Sequence, residues 1–212
     1  MAELDHLILA CPDLDEGIRH IENLTGARAV AGGPHPGMGS HNALLTFDTA
    51  TYFEIIAIDP HQPDPLRPRP FGLDQATGPR LAGYAVHPLA DETIDQVAAL
   101  LRGAGIEPGP VRNMSRVKPG GEELHWRLTS TGEPSPPVAT VPFIIDWGDT
   151  PSPATSLGSM GSLVSLRVEG ADAVSAAAIK ALGLDLEVAE PAPGEPRLVA
   201  TVDSPNGRVE IS

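Results

Sequence analysis

The stretch LDHLILACPDLDEGIRHIENLTGARAV, from Leu4 to Val30, contains a short apolar run, a turn, an amphipathic segment and a second short run. Asp13 follows Pro12 at the start of the amphipathic segment, and Glu16 stands three residues further on, which is the spacing of a helix-capping box. Gly26 closes the segment, and glycine readily takes the left-handed conformation that follows many helices. The stretch therefore predicts a strand, a helix and a second strand.

The same order of elements returns twice along the chain. The second copy predicts a strand over 81–86 and a helix with Ile94, Val97 and Leu101 on one face. The third copy predicts a strand over 163–168 and another helix after it. We therefore predict an α+β fold of two βαβββ modules and a shortened third βαββ unit. The remaining strands are predicted over 42–47, 51–58, 122–129, 139–146, 197–202 and 208–211.

Two segments rich in proline and glycine separate these units and lack apolar periodicity. They predict a boundary after each module. The resulting division is a domain over 1–150, made of module one (3–59), a proline-rich linker (60–79) and module two (80–148), followed by the third unit over 161–212.

The bulk composition limits the classes of partner. The formal charge of −14 disfavours binding to nucleic acid or to an anionic membrane. The single cysteine, Cys11, excludes an internal disulfide, the stretch MAELDHLILA does not predict a secretory signal, and no apolar run approaches the length of about 20 residues that spans a membrane. We expect a cytoplasmic protein whose partner is a small molecule or a second copy of the chain.

His6 and Glu54 are polar residues within otherwise apolar strands. Strand alternation places His6 on one face with Leu4 and Ile8, and it places Glu54 on one face with Ile56. A buried carboxylate needs a cation, a metal or good hydrogen-bond donors. One interpretation is that both side chains bind a divalent metal, and the other is that they hydrogen-bond to each other or to nearby polar residues.

Four motifs in order, GGPHPGMGSHNALL, YFEIIAID, SRVKPGGEELHWRL and PFIIDW, resemble the glyoxalase-like domain subgroup of the vicinal oxygen chelate superfamily. The resemblance covers residues 3 to about 150. It implies paired βαβββ modules around a concave cleft, with metal ligands on the first and last strands of each module. His6 and Glu54 match these two ligand positions in module one, which implies a catalytic role for both.

Module two departs from the ligand pattern of the superfamily. Ala82 stands at the position that corresponds to His6, and Phe143 or Ile145 stands near that of Glu54. A divalent Zn, Ni, Fe or Mn ion and the absence of any metal are therefore both expected possibilities. Residues that can substitute as ligands are His35, His41, His125 and, in the third unit, Glu210.

The loop GGPHPGMGSHNALL is predicted to lie at the rim of the cleft. By the resemblance, His35, Ser40, His41 and Asn42 are substrate-binding residues there, and the glycines let the backbone approach a ligand. The alternative is a structural turn stabilised by its own hydrogen bonds.

The segment SRVKPGGEELHWRL predicts a hairpin around Pro119, Gly120 and Gly121. Alternation separates Trp126 from His125, and one of the two faces lines the cleft. By the resemblance, Arg116 clamps a substrate carboxylate or enolate and Trp126 forms an apolar wall. The alternative is a surface arginine and a core tryptophan.

Three functions follow from these observations. The first is an enzyme acting on a small, oxygen-rich organic substrate by glyoxalase-like lyase, isomerase, epimerase or dioxygenase chemistry, with a metal as Lewis acid. The second is a metal-free protein that binds or sequesters a small molecule in the same cleft. In the third, the last unit is a half-module for formation of a homodimer, and the cleft is vestigial.

Overall fold

A computed structural model describes residues 1–48, 50–117, 120–130, 136–189 and 195–212. The predicted hairpin turn at Pro119 lies outside these residues. The helices are α1 (Leu14–Thr25), α2 (Ile94–Gly103) and α3 (Ala173–Leu182). The strands are β1 (Ala2–Cys11), β2 (Val30–His35), β3 (Ser40–Thr46), β4 (Tyr52–Ile58), β5 (Arg80–Pro88), β6 (Val111–Val117), β7 (Glu123–Thr129), β8 (Phe143–Asp146), β9 (Ser162–Glu169), β10 (Glu187–Val188), β11 (Arg197–Ser204) and β12 (Gly207–Ile211).

Helix α1 begins at the residue that the sequence indicates. The Asp13 side chain accepts a hydrogen bond from the backbone N–H of Glu16 at 2.8 Å. Gly26 ends α1 with a φ of 77°, a conformation that disfavours residues with a side chain. At the start of α2, Thr93 and Gln96 form a complete capping box.

Strands β1 to β8 form one curled sheet in the order β2-β3-β4-β1-β5-β8-β7-β6. Within each module the first and last strands pair in parallel, and the antiparallel pair β1–β5 joins the two modules. The two edge strands come close together, since the Arg116 guanidinium on β6 donates a hydrogen bond to the Gly32 carbonyl on β2. The sheet is therefore nearly closed around its concave face.

The hydrophobic core lies between the convex face of this sheet and the helices. Leu7 and Leu9 of β1 alternate with His6 and Ile8, and they belong to the same buried cluster as Ile21 of α1. Burial of one such leucine or isoleucine side chain stabilises the fold by about 2 kcal/mol. The core thus depends on one face of each strand and leaves the other face to the cleft.

The third unit forms a separate four-stranded sheet in the order β10-β9-β11-β12. Its order of elements is βαβββ, because a two-residue strand, β10, adds to the two predicted after the helix. Here β9 pairs with β11 and β10, whereas the first strand of each module pairs with the last. The unit packs on its own chain, where α3 contacts α2 and β11 contacts β5.

The predicted α+β fold class is confirmed, with βαβββ units and a curled sheet. Among the described residues, no helix combines the length and the apolar character that are needed to cross a membrane.

Candidate functional site

A cavity of about 480 Å³ lies on the concave face of the curled sheet. Strands β1 to β4 and β6 contribute most of its polar side chains, whereas β7, β8 and the neighbouring loops contribute mainly apolar ones. Polar lining residues include His6, His35, Asn42, Glu54 and Arg116. Apolar lining residues include Trp126, Leu128, Phe143, Ile145 and Trp147.

The polar side chains that line the cavity, here the polar wall, include His6, which is 2 % exposed. Its Nδ1 is 2.6 Å from an Asp5 carboxylate oxygen, and its Nε2 is 3.5 Å from Glu54 Oε2. Burial disfavours the charged imidazolium, but the two carboxylates outweigh burial and raise the pKa of His6 to about 9. His6 is therefore a buried cation at neutral pH. Its ring stacks on Tyr52, the residue opposite it in the parallel pairing of β1 and β4.

Glu54 stands beside His6 on the neighbouring strand. Its Oε1 accepts a hydrogen bond from Asn42 Nδ2 at 2.7 Å. Burial favours the neutral acid, but the interactions with His6 and Asn42 outweigh it and lower the pKa of Glu54 to about 2. The cavity therefore has a carboxylate in its wall at all physiological pH values.

His35 completes the polar wall as a neutral imidazole. Burial, opposed by the charge of Glu54, lowers the pKa of His35. Because Asn42 Nδ2 donates, His35 Nε2 at 3.2 Å is the acceptor, and Nδ1 donates to Ser40 Oγ at 3.0 Å. Asn42 is held in one orientation by this network, which directs both of its N–H groups to defined partners.

Gly32 leaves the space that Asn42 occupies. A side-chain carbon at residue 32 would stand 2.1 Å from Asn42 Oδ1, far inside van der Waals contact. The Asn42 Oδ1 atom itself has no hydrogen-bond partner within the described part of the chain. The glycine at residue 32 is therefore required by packing.

Arg116 brings a second cation to the cavity from β6. The residue is 4 % exposed, and its guanidinium donates to the Gly32 carbonyl. No carboxylate oxygen of the described residues lies within 4.0 Å of this guanidinium. Burial lowers the pKa of Arg116, and the more distant charge of Glu54 opposes that shift. A buried cation without an ion-pair partner is costly, so this end of the cavity favours an anionic ligand.

The opposite wall is formed by rings and aliphatic side chains. The Phe143 ring meets the His6 ring edge-on, with centroids 5.6 Å apart. The Trp126 and Trp147 rings are 5.5 Å apart, and Trp147 also donates from Nε1 to Asp5 at 3.2 Å. This wall excludes water from one side of the His6–Glu54 pair, which strengthens the interactions between their charges.

The structure brings His6, His35, Asn42, Glu54, Arg116 and Trp126 to the cavity, and Ser40 supports His35 from behind. It does not bring His41 or His125 there. His41 alternates with Asn42 on β3 and points to the other face of the sheet, and the exposed His125 alternates with Trp126 in the same way. Glu210 is an exposed residue of the third sheet and pairs with Arg167. The face of β7 that carries Trp126 therefore lines the cavity, and the face that carries His125 does not.

Sequence analysis missed Asp5, which is 1 % exposed and bonded to His6. Strict alternation assigns Asp5 to the face opposite His6. The pairing of β1 with β5 shifts by one residue between Leu4 and His6, and an irregularity of this kind redirects a side chain. Because the shift depends on the register of two distant strands, no local sequence signal indicates it.

The donor atoms around His6 do not fit a divalent metal. His6 Nε2 and Glu54 are the two candidate donors of module one, and β8 of module two presents Phe143 and Ile145, whose side chains have no donor atoms. His35 Nε2 is occupied by Asn42. Within the described ranges, no group of three or more His, Cys, Asp or Glu side chains is arranged to hold a metal ion, and a protein zinc site needs at least three ligands.

A family model described as a glyoxalase-like domain matches residues 4–183. The match covers most of the chain, and the protein therefore belongs to the glyoxalase-like domain family. This confirms the resemblance to that subgroup of the vicinal oxygen chelate superfamily. The match also extends past module two and through β9 and α3 of the third unit.

The comparison with solved structures found several matches. A hypothetical protein from Staphylococcus aureus is 14% identical over 99% of this chain and 84% of its own, with a TM-score of 0.59. The methylmalonyl-CoA epimerase of Mycobacterium tuberculosis is 20% identical over 67% of this chain and 84% of its own, with a TM-score of 0.40. The Streptomyces coelicolor methylmalonyl-CoA epimerase in complex with 2-nitronate-propionyl-CoA is 17% identical over 67% and 94%, with a TM-score of 0.41. The likeness to the Staphylococcus aureus protein supports the fold, and none of these comparisons carries a conclusion about substrate. The comparison with curated proteins gave no match.

Proposed function

We propose that the protein is an enzyme that acts on a small, oxygen-rich organic anion in this cavity, by proton abstraction next to a carbonyl group. The observation that carries the proposal is the buried Arg116 guanidinium, which lines the same cavity as the Glu54 carboxylate and lacks an ion pair in the described part of the chain. A carboxylate on the ligand supplies the missing counter-charge and orients the ligand.

The His6–Glu54 pair provides the acid and the base. At 3.5 Å their contact is longer than a direct hydrogen bond, so the His6 Nε2–H is available to a carbonyl oxygen of the ligand. When the His6 Nε2–H donates to this carbonyl oxygen, its hydrogen-bonding interaction with Glu54 weakens, which makes Glu54 a stronger base. Glu54 then takes the proton from the carbon beside the carbonyl, the C–H electron pair forms the enolate, and the His6 imidazolium stabilises the enolate oxygen.

This chemistry belongs to the isomerase, epimerase or lyase class, and none of its steps uses a metal. His6 and Glu54 are catalytic residues in the proposal, Arg116 binds the anionic group, and His35 and Asn42 orient Glu54. The division into domains, the cytoplasmic location and the homodimer stay predictions of the sequence.

The test is solvent exchange at the carbon beside the carbonyl. Wild-type protein is incubated with 2-oxo acids in heavy water, and deuterium uptake is followed by proton NMR. We expect faster exchange than in buffer alone, a loss of about 100-fold or more in Glu54→Gln, and a KM about 10-fold higher in Arg116→Gln because a charged hydrogen bond is lost. Exchange that is the same in Glu54→Gln contradicts the proposal.

A metal-free binding protein is the second candidate function. It is favoured by the pKa of Glu54, since a carboxylate with a pKa of about 2 is a weak base in the unliganded cavity. Calorimetry with the same acids separates the two functions. Binding that depends on Arg116 without any deuterium uptake supports the binding protein, whereas uptake that depends on Glu54 supports the enzyme.

A further inference from the structure

The cavity has two chemically different ends. One end, here the head end, is defined by the buried charged side chains of His6, Glu54 and Arg116. The other end, here the tail end, is lined by apolar side chains of β7 and of the loops that follow α2 and precede β8. These residues are Ile106, Pro108, Leu128, Ala139, Val141 and Pro142.

The pairing of β6 with β7 separates the two ends. Arg116 stands opposite Leu124, and Leu128 lies four residues further along β7. At about 3.3 Å per strand residue, the cavity extends about 13 Å along this hairpin from the level of Arg116 to Leu128. A ligand whose carboxylate reaches Arg116 therefore has space for a long substituent.

The described threonines at the tail end, Thr129 and Thr140, are already satisfied by protein partners. Thr129 Oγ1 accepts from the Ile144 backbone N–H at 3.0 Å. Thr140 Oγ1 is 2.6 Å from Ser175 Oγ, and its carbonyl accepts from the Tyr84 hydroxyl at 3.0 Å.

Among the described residues, Glu107 is the acidic residue at this end, and it is also engaged. Its carboxylate pairs with Arg102 and accepts from the Gly109 backbone N–H at 3.1 Å. With these groups occupied, the tail end favours an apolar substituent over a polar or charged one.

From this asymmetry we propose that the ligand is an amphipathic organic acid, with a carbonyl-bearing acidic head at His6, Glu54 and Arg116 and an apolar chain of several carbons at the tail end. The inference rests on the proposed function and names its substrate class. The volume of about 480 Å³ is in the range of sites for ligands much larger than a three-carbon acid. An apolar chain gains affinity by leaving water, and the acidic head sets its direction in the cavity.

The test is a chain-length series of straight 2-oxo acids, from pyruvate through 2-oxohexanoate to 2-oxodecanoate, measured by calorimetry. We expect wild-type affinity to rise about fourfold for each added methylene until the cavity is full. Ala139→Leu fills the tail end and shifts the longest well-bound acid to a shorter one, while pyruvate binds as in the wild type. Ala31→Leu, the same change at an exposed residue of β2, leaves the series unaltered.

Each outcome separates this inference from the proposed function. Pyruvate binding that depends on Arg116, with no gain from added methylenes, overturns the amphipathic ligand and leaves the proposed function standing. A gain with chain length that Ala139→Leu does not change overturns the location of the tail end. If no acid of the series binds, both proposals are wrong. Because Ala139 and Leu128 are both half-buried lining residues, a second filling variant, Leu128→Phe, repeats the test from β7.

Discussion

Modules one and two share their order of elements and differ in the side chains that face the cleft. In module one the first and last strands carry His6 and Glu54, whereas the equivalent strands of module two carry small or apolar residues such as Ala82 and Phe143. The outer faces of both modules are apolar and pack against helices. The comparison teaches that the outer face and the helix caps determine this fold, so the inner face is free to differ between modules.

The difference has an electrostatic consequence. Module one places two carboxylates, Asp5 and Glu54, around the His6 imidazolium, and module two supplies the apolar wall and one cation, Arg116. Burial beside that wall makes the charges of module one depend strongly on one another. Changes on the polar side are therefore expected to cost more than equivalent changes elsewhere.

The largest effect is expected from Glu54→Ala. The substitution removes the carboxylate from the buried pair with His6 and leaves Asn42 Nδ2 without its acceptor. We expect the free energy of unfolding at neutral pH to fall by about 4 kcal/mol, measured by urea denaturation. Glu123→Ala, at an exposed residue of module two, is the control and should change it by less than about 0.5 kcal/mol. Equal losses in the two variants would contradict the difference between the modules.

The pH dependence of stability is expected to come from the same pair. The pKa of His6 rises from 6.5 to about 9 on folding, so its contribution is complete below about pH 6.5 and disappears as the pH rises through about 9. The pKa of Glu54 falls from 4.5 to about 2, so its contribution is complete above about pH 4.5 and disappears as the pH falls through about 2.

Urea denaturation across this pH range tests the direction in which the stability contribution of His6 changes with pH. The difference in free energy of unfolding between wild type and His6→Gln should be largest between about pH 4.5 and 6.5 and should shrink towards pH 9. The exposed His125→Gln in module two is the control and should show no such trend. A difference between wild type and His6→Gln that stays constant with pH would mean that folding does not raise the pKa of His6.

A smaller loss is expected from Gly32→Ala. The added carbon would overlap Asn42 Oδ1 and displace the side chain that orients Glu54, at a cost of about 1 kcal/mol in the free energy of unfolding. Gly120→Ala in module two is the matched control, because nothing lies within 4 Å of its added carbon. Thermal and urea denaturation measure both. If Gly32→Ala is as stable as Gly120→Ala, Asn42 is not held in place by packing.

The smallest change in the fold is expected from Phe143→His, which gives module two an imidazole beside His6. With Glu54 this makes three potential ligands, the number that zinc needs from a protein. We expect the variant to retain zinc near one equivalent after dialysis, and the wild type to retain much less, measured by elemental mass spectrometry. Stoichiometric zinc in the wild type that is lost in Glu54→Gln would overturn our conclusion that its donor set does not fit a metal.

Much of the fold and half of the site follow from local sequence. The apolar alternation, the Asp13 cap and the Gly26 stop depend on neighbours in the chain, which is why the first module was predicted closely. His6 and Glu54 could be singled out because each is a polar residue in an otherwise apolar strand. Strand β10 was not predicted, because two residues are too short to show a period.

The sequence by itself determined the repeated units, the residues with charge in the strands and the lack of ligand residues in module two. Only the tertiary structure decided that Asp5 reaches His6, that Arg116 crosses from β6 to the β2 edge, and that His41 and His125 face away from the cavity. The physical reason is that capping and alternation act over a few residues, whereas these contacts depend on the register and closure of strands that are distant in the chain.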